Sequence, residues 1–308
     1  MRWQPGTGPG ARRRRIMSRF KRGLIALATR DVRLRRLAIN YLFTRYLAPG
    51  TLCCIPFQDH TIFVDPRDDR IAYTLLTGRP WHRGDLDATI ALARAHDRLP
   101  DGGVFVDVGA NIGTMTLYAL LSGTFDRAVA VEPDPGNLDI LRRNLEVNGL
   151  TEKVTVIAAA ASSAPGQMTL HRDAKNLGAH SLEPGFIMTP SETRNVRVDT
   201  LDNLIDEAGL AEDSVSFVKI DVEGHEHEVL QGMTALLRAG PVVMLEATFD
   251  VSSSDAASSD WSSVISPFSD RYRMCANVAQ RDPGTGLPVT DTLDRFRPTA
   301  IQHDLVIL

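Results

Sequence analysis

The segment Val104-Phe105-Val106-Asp107-Val108-Gly109-Ala110-Asn111-Ile112-Gly113 constrains this chain most. A run of five residues made almost wholly of apolar, β-prone types reads as a strand buried on both faces. It feeds directly into two glycines four apart, and the pattern after Gly113 (Thr114–Leu121) is helical. A strand, a glycine turn and a helix in that order form the opening unit of a parallel α/β sheet, and ligands bind at such turns. Gly109 lets the backbone bend sharply and present N–H groups. Gly113 lets the helix start pack closely.

Downstream the alternation continues. Strands are expected at 128–132, 154–159, 216–221 and 242–246, with helices at 135–147 and 223–237 between them. Upstream, 61–64 reads as a strand and 85–99 as a helix stopped by Pro100. The regularity breaks at 166–203, where 167–172 and 196–199 look like extra strands around a Gly/Pro/Ser-rich loop suited to holding a substrate. Residues 252–260 read as a linker, and 272–277 and 304–308 as two closing strands. The fold class expected is α/β: a Rossmann-like, mostly parallel, doubly wound sheet of seven strands with a small β insertion and an N-terminal helical extension.

Charge is unevenly spread. Residues 1–46 carry twelve arginines and Lys21 against Asp31, a balance of +12, so a chain of net charge −4 bears −16 over the remainder. Residues 1–16 are expected to be a disordered Arg-rich arm, 17–100 a helical and strand extension, and 101–308 the catalytic domain. From 20 to 47 an amphipathic pattern reads as one or two helices packing on the domain, with weak contact to an anionic membrane surface as the second use. The three cysteines, Cys53, Cys54 and Cys275, give no disulfide framework, and no run approaches a membrane span or a secretory signal; the expected setting is cytoplasmic.

The chemistry sits at the strand ends. Asp107 is an acid where a dinucleotide phosphate would sit badly, and it suits the cationic amino-acid tail of a ligand or a water bound to one. Glu132, ending the second strand before Pro133, can accept both hydroxyls of a ribose. The third strand ends in small residues, Ala158 to Ser162, and Ala160 and Ser162 are the expected neighbours of an adenine ring. Gly-x-x-x-Gly, unlike Gly-x-Gly-x-x-Gly, together with a preceding acid favours a sulfonium nucleoside over a nicotinamide dinucleotide. The cofactor set is therefore Asp107, Gly109, Ala110, Asn111, Gly113, Glu132, Pro133, Ala160 and Ser162.

With these residues placed, the sequence resembles the FkbM family of S-adenosylmethionine-dependent methyltransferases over about residues 60–308. The matching stretches are Phe105–Gly113, Val131-Glu132-Pro133, the particular Val218-Lys219-Ile220-Asp221-Val222-Glu223-Gly224-His225-Glu226, the Asp199–Asp202 turn and the closing 304–307 strand. The resemblance implies S-adenosylmethionine as cofactor and O-methylation of a hydroxyl on a sugar, glycan or polyketide-type metabolite. No Asn/Asp-Pro-Pro-Tyr/Phe stretch of the kind found in amino-methylating DNA enzymes is present, so a nucleic-acid acceptor is not expected.

The strand ending at Asp221 delivers Lys219, Asp221 and Glu223 to the ligand edge, and Glu246 ends the next strand on the same edge. Asp221 is the first candidate for the base that removes the acceptor's proton, with Glu223 and His225 as alternates, Lys219 as an orienting ion-pair partner and Glu246 as a hydrogen-bonding acid. Asp221 could equally cap the helix expected from 223. His180-Ser181 is a further candidate for the acceptor pocket. Nothing in the spacing demands a metal. Two other classes stay open at this point: a nicotinamide or nucleotide-sugar enzyme on the same fold, and a methyltransferase-like binding protein without turnover.

Overall fold

The computed structural model describes residues 45, 47, 48, 50–248, 264–268, 271–296 and 302–308. The expected arm at 1–16, nearly all of the amphipathic stretch 20–47 and the linker 252–260 lie outside them.

The centre is an eight-stranded sheet. Its parallel half contains β3 (Val104–Val108), β4 (Arg127–Val131), β5 (Val154–Ile157), β9 (Val215–Ile220) and β10 (Val242–Thr248). The antiparallel half contains β11 (Met274–Arg281), β12 (Pro288–Thr292) and β13 (Gln302–Ile307). The strand order is β12-β11-β13-β10-β9-β3-β4-β5, which reverses direction of growth at β3. Seven of these are the strands expected; β12 is an added edge strand on β11. This is the expected Rossmann-like, doubly wound architecture, and the chain reversal beside β3 creates the crevice where ligands bind.

Burial explains the strand sequences. All five residues of β3 are buried, as a central parallel strand requires. Val106 and Val108 face one apolar layer, shared with α5 (Leu201–Glu207), α6 (Glu226–Gln231) and α7 (Thr234–Ala239). Phe105 faces the other, against α2 (Arg83–Ala95), α3 (Thr114–Leu121) and α4 (Pro135–Val147). Alternation then places Asp107 on the Phe105 side, towards α3. Helix α4 starts where Asp134 accepts from the N–H groups of Gly136 and Asn137 at 2.9 and 3.1 Å, with Pro135 at the first helical position.

The single helix expected at 223–237 is two short ones broken at Gly232-Met233. A Cβ on Gly232 would lie 2.0 Å from the Ser162 carbonyl oxygen, so the chain bends there to admit a neighbouring backbone. Helix α2 ends at Ala95, earlier than expected, before Asp97 at φ +55°.

Two smaller sheets flank the centre. β1 (Cys53–Pro56) and β2 (Thr61–Val64) form a hairpin followed by α1 (Ile71–Leu76). Ile62, Val64, Ile71 and Leu75 pack with Ile112 and Ile140 of the main domain. Asn144 and Asn148 of or beside α4 bond the backbone of Phe63 and Thr61. Because α2 also belongs to the main layer, a boundary at residue 100 cuts through shared core. The insertion is a three-stranded sheet in the order β6-β8-β7: β6 (Ala160–Ala161), β7 (Gly166–Asp173) and β8 (Pro190–Asp199). Among the described residues no helix is long and apolar enough to cross a membrane.

Candidate active site

A cleft, with about 520 Å³ of free space counting its solvent-open mouth, opens at the C-terminal ends of β3, β4 and β9 and runs under the insertion. Its floor is the turn after β3. Gly109 adopts φ +75°, and a Cβ there would come within 1.9 Å of the Asp221 carbonyl oxygen, so only glycine fits. Asn111 sits at φ +53°; its side chain accepts from Ile112 N–H and donates to the Leu177 carbonyl. Ala110 is buried, its N–H donating to the Val131 carbonyl, and Gly113 touches Leu141 in the core. Of the expected turn residues, Gly109 and Asn111 line the cavity, while Ala110 and Gly113 shape it from behind.

Glu132 lies on the cavity wall, 4% exposed. Its two carboxylate oxygens accept from the backbone N–H groups of Asn111 and Asp134, each at 2.8 Å. Burial pushes its pKa up to about 7 against those bonds. Pro133, Asn137, Ala160 and Ala161 continue the wall. Ser162, expected beside adenine, is instead turned into the protein, its hydroxyl 2.9 Å from His225 Nε2.

Asp107 also departs from expectation. It is 0% exposed and does not reach the cavity; Thr116 donates to its Oδ2 at 2.6 Å and the Lys219 ammonium lies 3.5 Å from its Oδ1. The strand register causes this, because Asp107 of β3 stands opposite Lys219 of β9. The acid therefore anchors Lys219 rather than meeting a ligand's cationic tail.

Lys219 in turn lies 3.1 Å from Asp221. Burial works against its charge, but Asp221 and Asp107 outweigh it and raise its pKa. Burial would likewise raise Asp221, yet Lys219 and a hydrogen bond from Glu246 hold that carboxyl below its usual range. One carboxylate oxygen from each of Asp221, Glu223 and Glu246 lies within 4.8 Å of the other two. Repulsion from Asp221, with burial, drives Glu246 far up, so it holds the shared proton of an acid pair. Burial, then Asp221 and Glu226, push Glu223 up to about 8. Glu246 stands opposite Asp304 of β13, which extends the acidic edge outward.

The loop carrying these acids is held open by its backbone. Glu223 and Gly224 adopt φ +55° and +100°, and the Glu226 carboxylate accepts from the N–H groups of Val222 and Gly224. Glu226 therefore pins the loop ahead of the helix, no side chain caps the helix start as Asp221 was expected to, and α6 begins three residues later than expected. The insertion grips the same loop. The Ser181 hydroxyl donates to the Glu223 carbonyl at 2.6 Å, Glu183 lies 2.9 Å from His225 Nδ1, and the Phe186 ring covers Gly224. His225 is 2% exposed with both ring nitrogens engaged, so the expectation that it serves as an alternate base is replaced by a fastening role. Ser181, expected in the acceptor pocket, instead fastens the acid loop, and Glu183 and Glu226 were not singled out as site residues by the sequence; only the Glu226 position, two after a glycine near a strand end, carried a local signal.

The sequence profile of the methyltransferase FkbM domain matches residues 107–268. Among curated relatives, the ribosomal protein L11 methyltransferase of Gloeobacter violaceus is 36% identical over 104 residues, 34% of this chain and 33% of that protein. The hexuronic acid methyltransferase AglP of Haloferax volcanii is 33% identical over 145 residues, 46% of this chain and 55% of that protein. The chain thus spans from a third to about three fifths of the length of the curated relatives it matches. A solved FkbM methyltransferase from Methylobacillus flagellatus is 19% identical, with 89% of this chain and 59% of that one aligned at a TM-score of 0.42. With more than half its length matched by that profile, this chain belongs to the FkbM family of S-adenosylmethionine-dependent methyltransferases.

Proposed function

We propose that the chain transfers the methyl group of S-adenosylmethionine to a hydroxyl of a sugar, glycan or polyketide-type acceptor, with Glu132 receiving the ribose and Glu223 the acceptor's proton. The observation that carries this reading is that Glu132 lines the same cavity as Asp221 and Glu223, beside which Glu246 completes an acid cluster. The likeness to a hexuronic acid methyltransferase supports a sugar acceptor.

The residues divide the work by charge. A sulfonium methyl is already electrophilic, so alignment of oxygen, carbon and sulfur supplies most of the acceleration, and a positioned base adds about 10²–10⁴-fold. Of the three acids, Asp221 is the poorest base, because Lys219 stabilises its ionised form. Glu246 already holds a proton. Glu223 has a pKa near 8, matched to accepting a hydroxyl proton near neutral pH, and its unusual backbone angle aims a carboxylate from a loop fixed by Ser181. Asp221 and Glu246 then serve as hydrogen-bonding walls for neighbouring hydroxyls. The cofactor supplies the methyl group. The expected first choice of base, Asp221, thus passes to Glu223.

The test is twofold. Calorimetry of the purified chain against S-adenosylhomocysteine should show binding, with NAD showing none. Transfer from labelled S-adenosylmethionine to a panel of neutral and uronic oligosaccharides should yield methyl ethers by mass spectrometry. A folded protein without affinity for S-adenosylhomocysteine would sink the reading, and methylation of nitrogen or carboxylate alone would sink the hydroxyl part.

A further inference from the structure

We infer that His180, carried by the insertion, reads a ring nitrogen of the cofactor's adenine as a fixed hydrogen-bond donor. This rests on the reading of the cavity as the S-adenosyl nucleoside site.

Three observations converge. His180 lines the cavity together with Leu170 and Leu182 of the same insertion and with Val131, Pro133, Ala160 and Ala161. Apolar side chains of this kind are the surroundings a heteroaromatic ring takes. Second, the ring's tautomer is determined. The Asp173 backbone N–H donates to His180 Nδ1 at 3.2 Å, so Nδ1 is the bare acceptor and the hydrogen of the neutral ring resides on Nε2. Burial, the largest influence, keeps the ring's pKa below the ordinary histidine value and so favours the neutral form. Third, Nε2 is buried without a hydrogen-bond partner among the described residues. A buried donor left unpaired is costly, and it is satisfied when a ligand brings an acceptor.

Position selects the base end of the nucleoside. The imidazole is tied to Asp173, next to Arg172, on the side where β7 meets the start of α4, whereas the acid loop is held by Ser181, Glu183 and Phe186. Arg172 fixes that side by pairing with Asp134 at 2.9 Å and with Glu192. Adenine offers acceptors at N1, N3 and N7, and its amino group only donates, so an N–H donor here must address a ring nitrogen.

The experiment compares S-adenosylhomocysteine with its 1-deaza, 3-deaza and 7-deaza analogues by calorimetry. Each analogue replaces one acceptor nitrogen by C–H. For the wild type, one of the three should bind about tenfold more weakly than the parent. In His180→Phe, which keeps an aromatic ring without the donor, the parent should weaken by a similar factor and the selectivity should vanish. His180→Gln, which restores an N–H donor, should recover part of it. Equal wild-type affinity for the parent and all three analogues overturns the inference, as does selectivity that survives in His180→Phe. A His180-dependent loss on removing a ribose hydroxyl instead would also overturn it. The wild-type series needs no variant to fold, and a folded wild type that binds none of the nucleosides overturns the nucleoside reading itself.

Discussion

Replacing Lys219 by Met tests how the site's charges are held. The ammonium lies 3.1 Å from Asp221 and 3.5 Å from Asp107, and it is 7% exposed. At an effective dielectric of about 20, each contact is worth about 5 kcal/mol before desolvation is subtracted. Removing one partner of a buried pair costs about 3–5 kcal/mol net, because an uncompensated charge stays behind. Asp221 has 36% of its side chain exposed and is partly screened, whereas Asp107 has none exposed, so the lower end is expected: about 3 kcal/mol. That corresponds to a melting temperature lower by on the order of 5–10 °C at pH 7. The sign with pH follows from the carboxylates. In the wild type Asp221 sits below its unfolded pKa, so its contribution is complete above the usual aspartate range and is lost as pH falls through the lowered folded value. In the variant the stranded carboxyls are raised instead, and protonating them relieves the cost. The gap between the two proteins should therefore narrow as pH drops from 7 to 5. Urea unfolding across that range measures it. A gap under about 1 kcal/mol at pH 7, or one independent of pH, would show that Lys219 does not neutralise these acids.

Two further outcomes are expected. Because Glu223 acts only when ionised, kcat should rise with pH and level off above about 8, and Glu223→Gln should lower kcat by about 10²–10⁴-fold with S-adenosylhomocysteine affinity retained; a flat profile from pH 6 to 9 contradicts this assignment. Gly224→Ala would place a Cβ 2.3 Å from the Phe186 ring at a backbone angle that disfavours side chains, costing about 1–3 kcal/mol of stability. Adding Phe186→Ala should recover the steric share, and thermal melts showing single and double variants equally affected would exclude the ring contact as the cause.

Local pattern made much of the fold legible. The β3–turn–α3 unit and α4 are where the sequence placed them, since apolar periodicity, Pro135 and the glycines act over a few residues. β1 was missed because Cys53-Cys54-Ile55-Pro56 has neither length nor alternation. The break between α6 and α7 was missed because its cause is a distant carbonyl, that of Ser162, pressed against Gly232. In the site, strand-end position drew attention to Glu132, Asp221 and Glu223, which line the cavity, and to Glu246, which stands beside Asp221 and Glu223. It misread Asp107, since its fate depends on standing opposite Lys219 in a strand more than a hundred residues away. His225 was misread for a similar reason. Its two partners, Ser162 and Glu183, come from segments that only folding brings together.

The insertion's fastenings bear on how such enzymes diverge. Ser181, Glu183 and Phe186 clasp the loop of Asp221–Glu226, and Leu177 N–H reaches Asp68 beside the N-terminal hairpin while its carbonyl accepts from Asn111 and Asn137. A foreign 166–199 segment grafted to alter acceptor choice would arrive without these matched anchors, leaving a carbonyl, an imidazole and two amides each searching for a partner. Retargeting this scaffold therefore means transplanting hairpin, insertion and acid loop as a unit, or confining changes to the exposed residues at the insertion's tip.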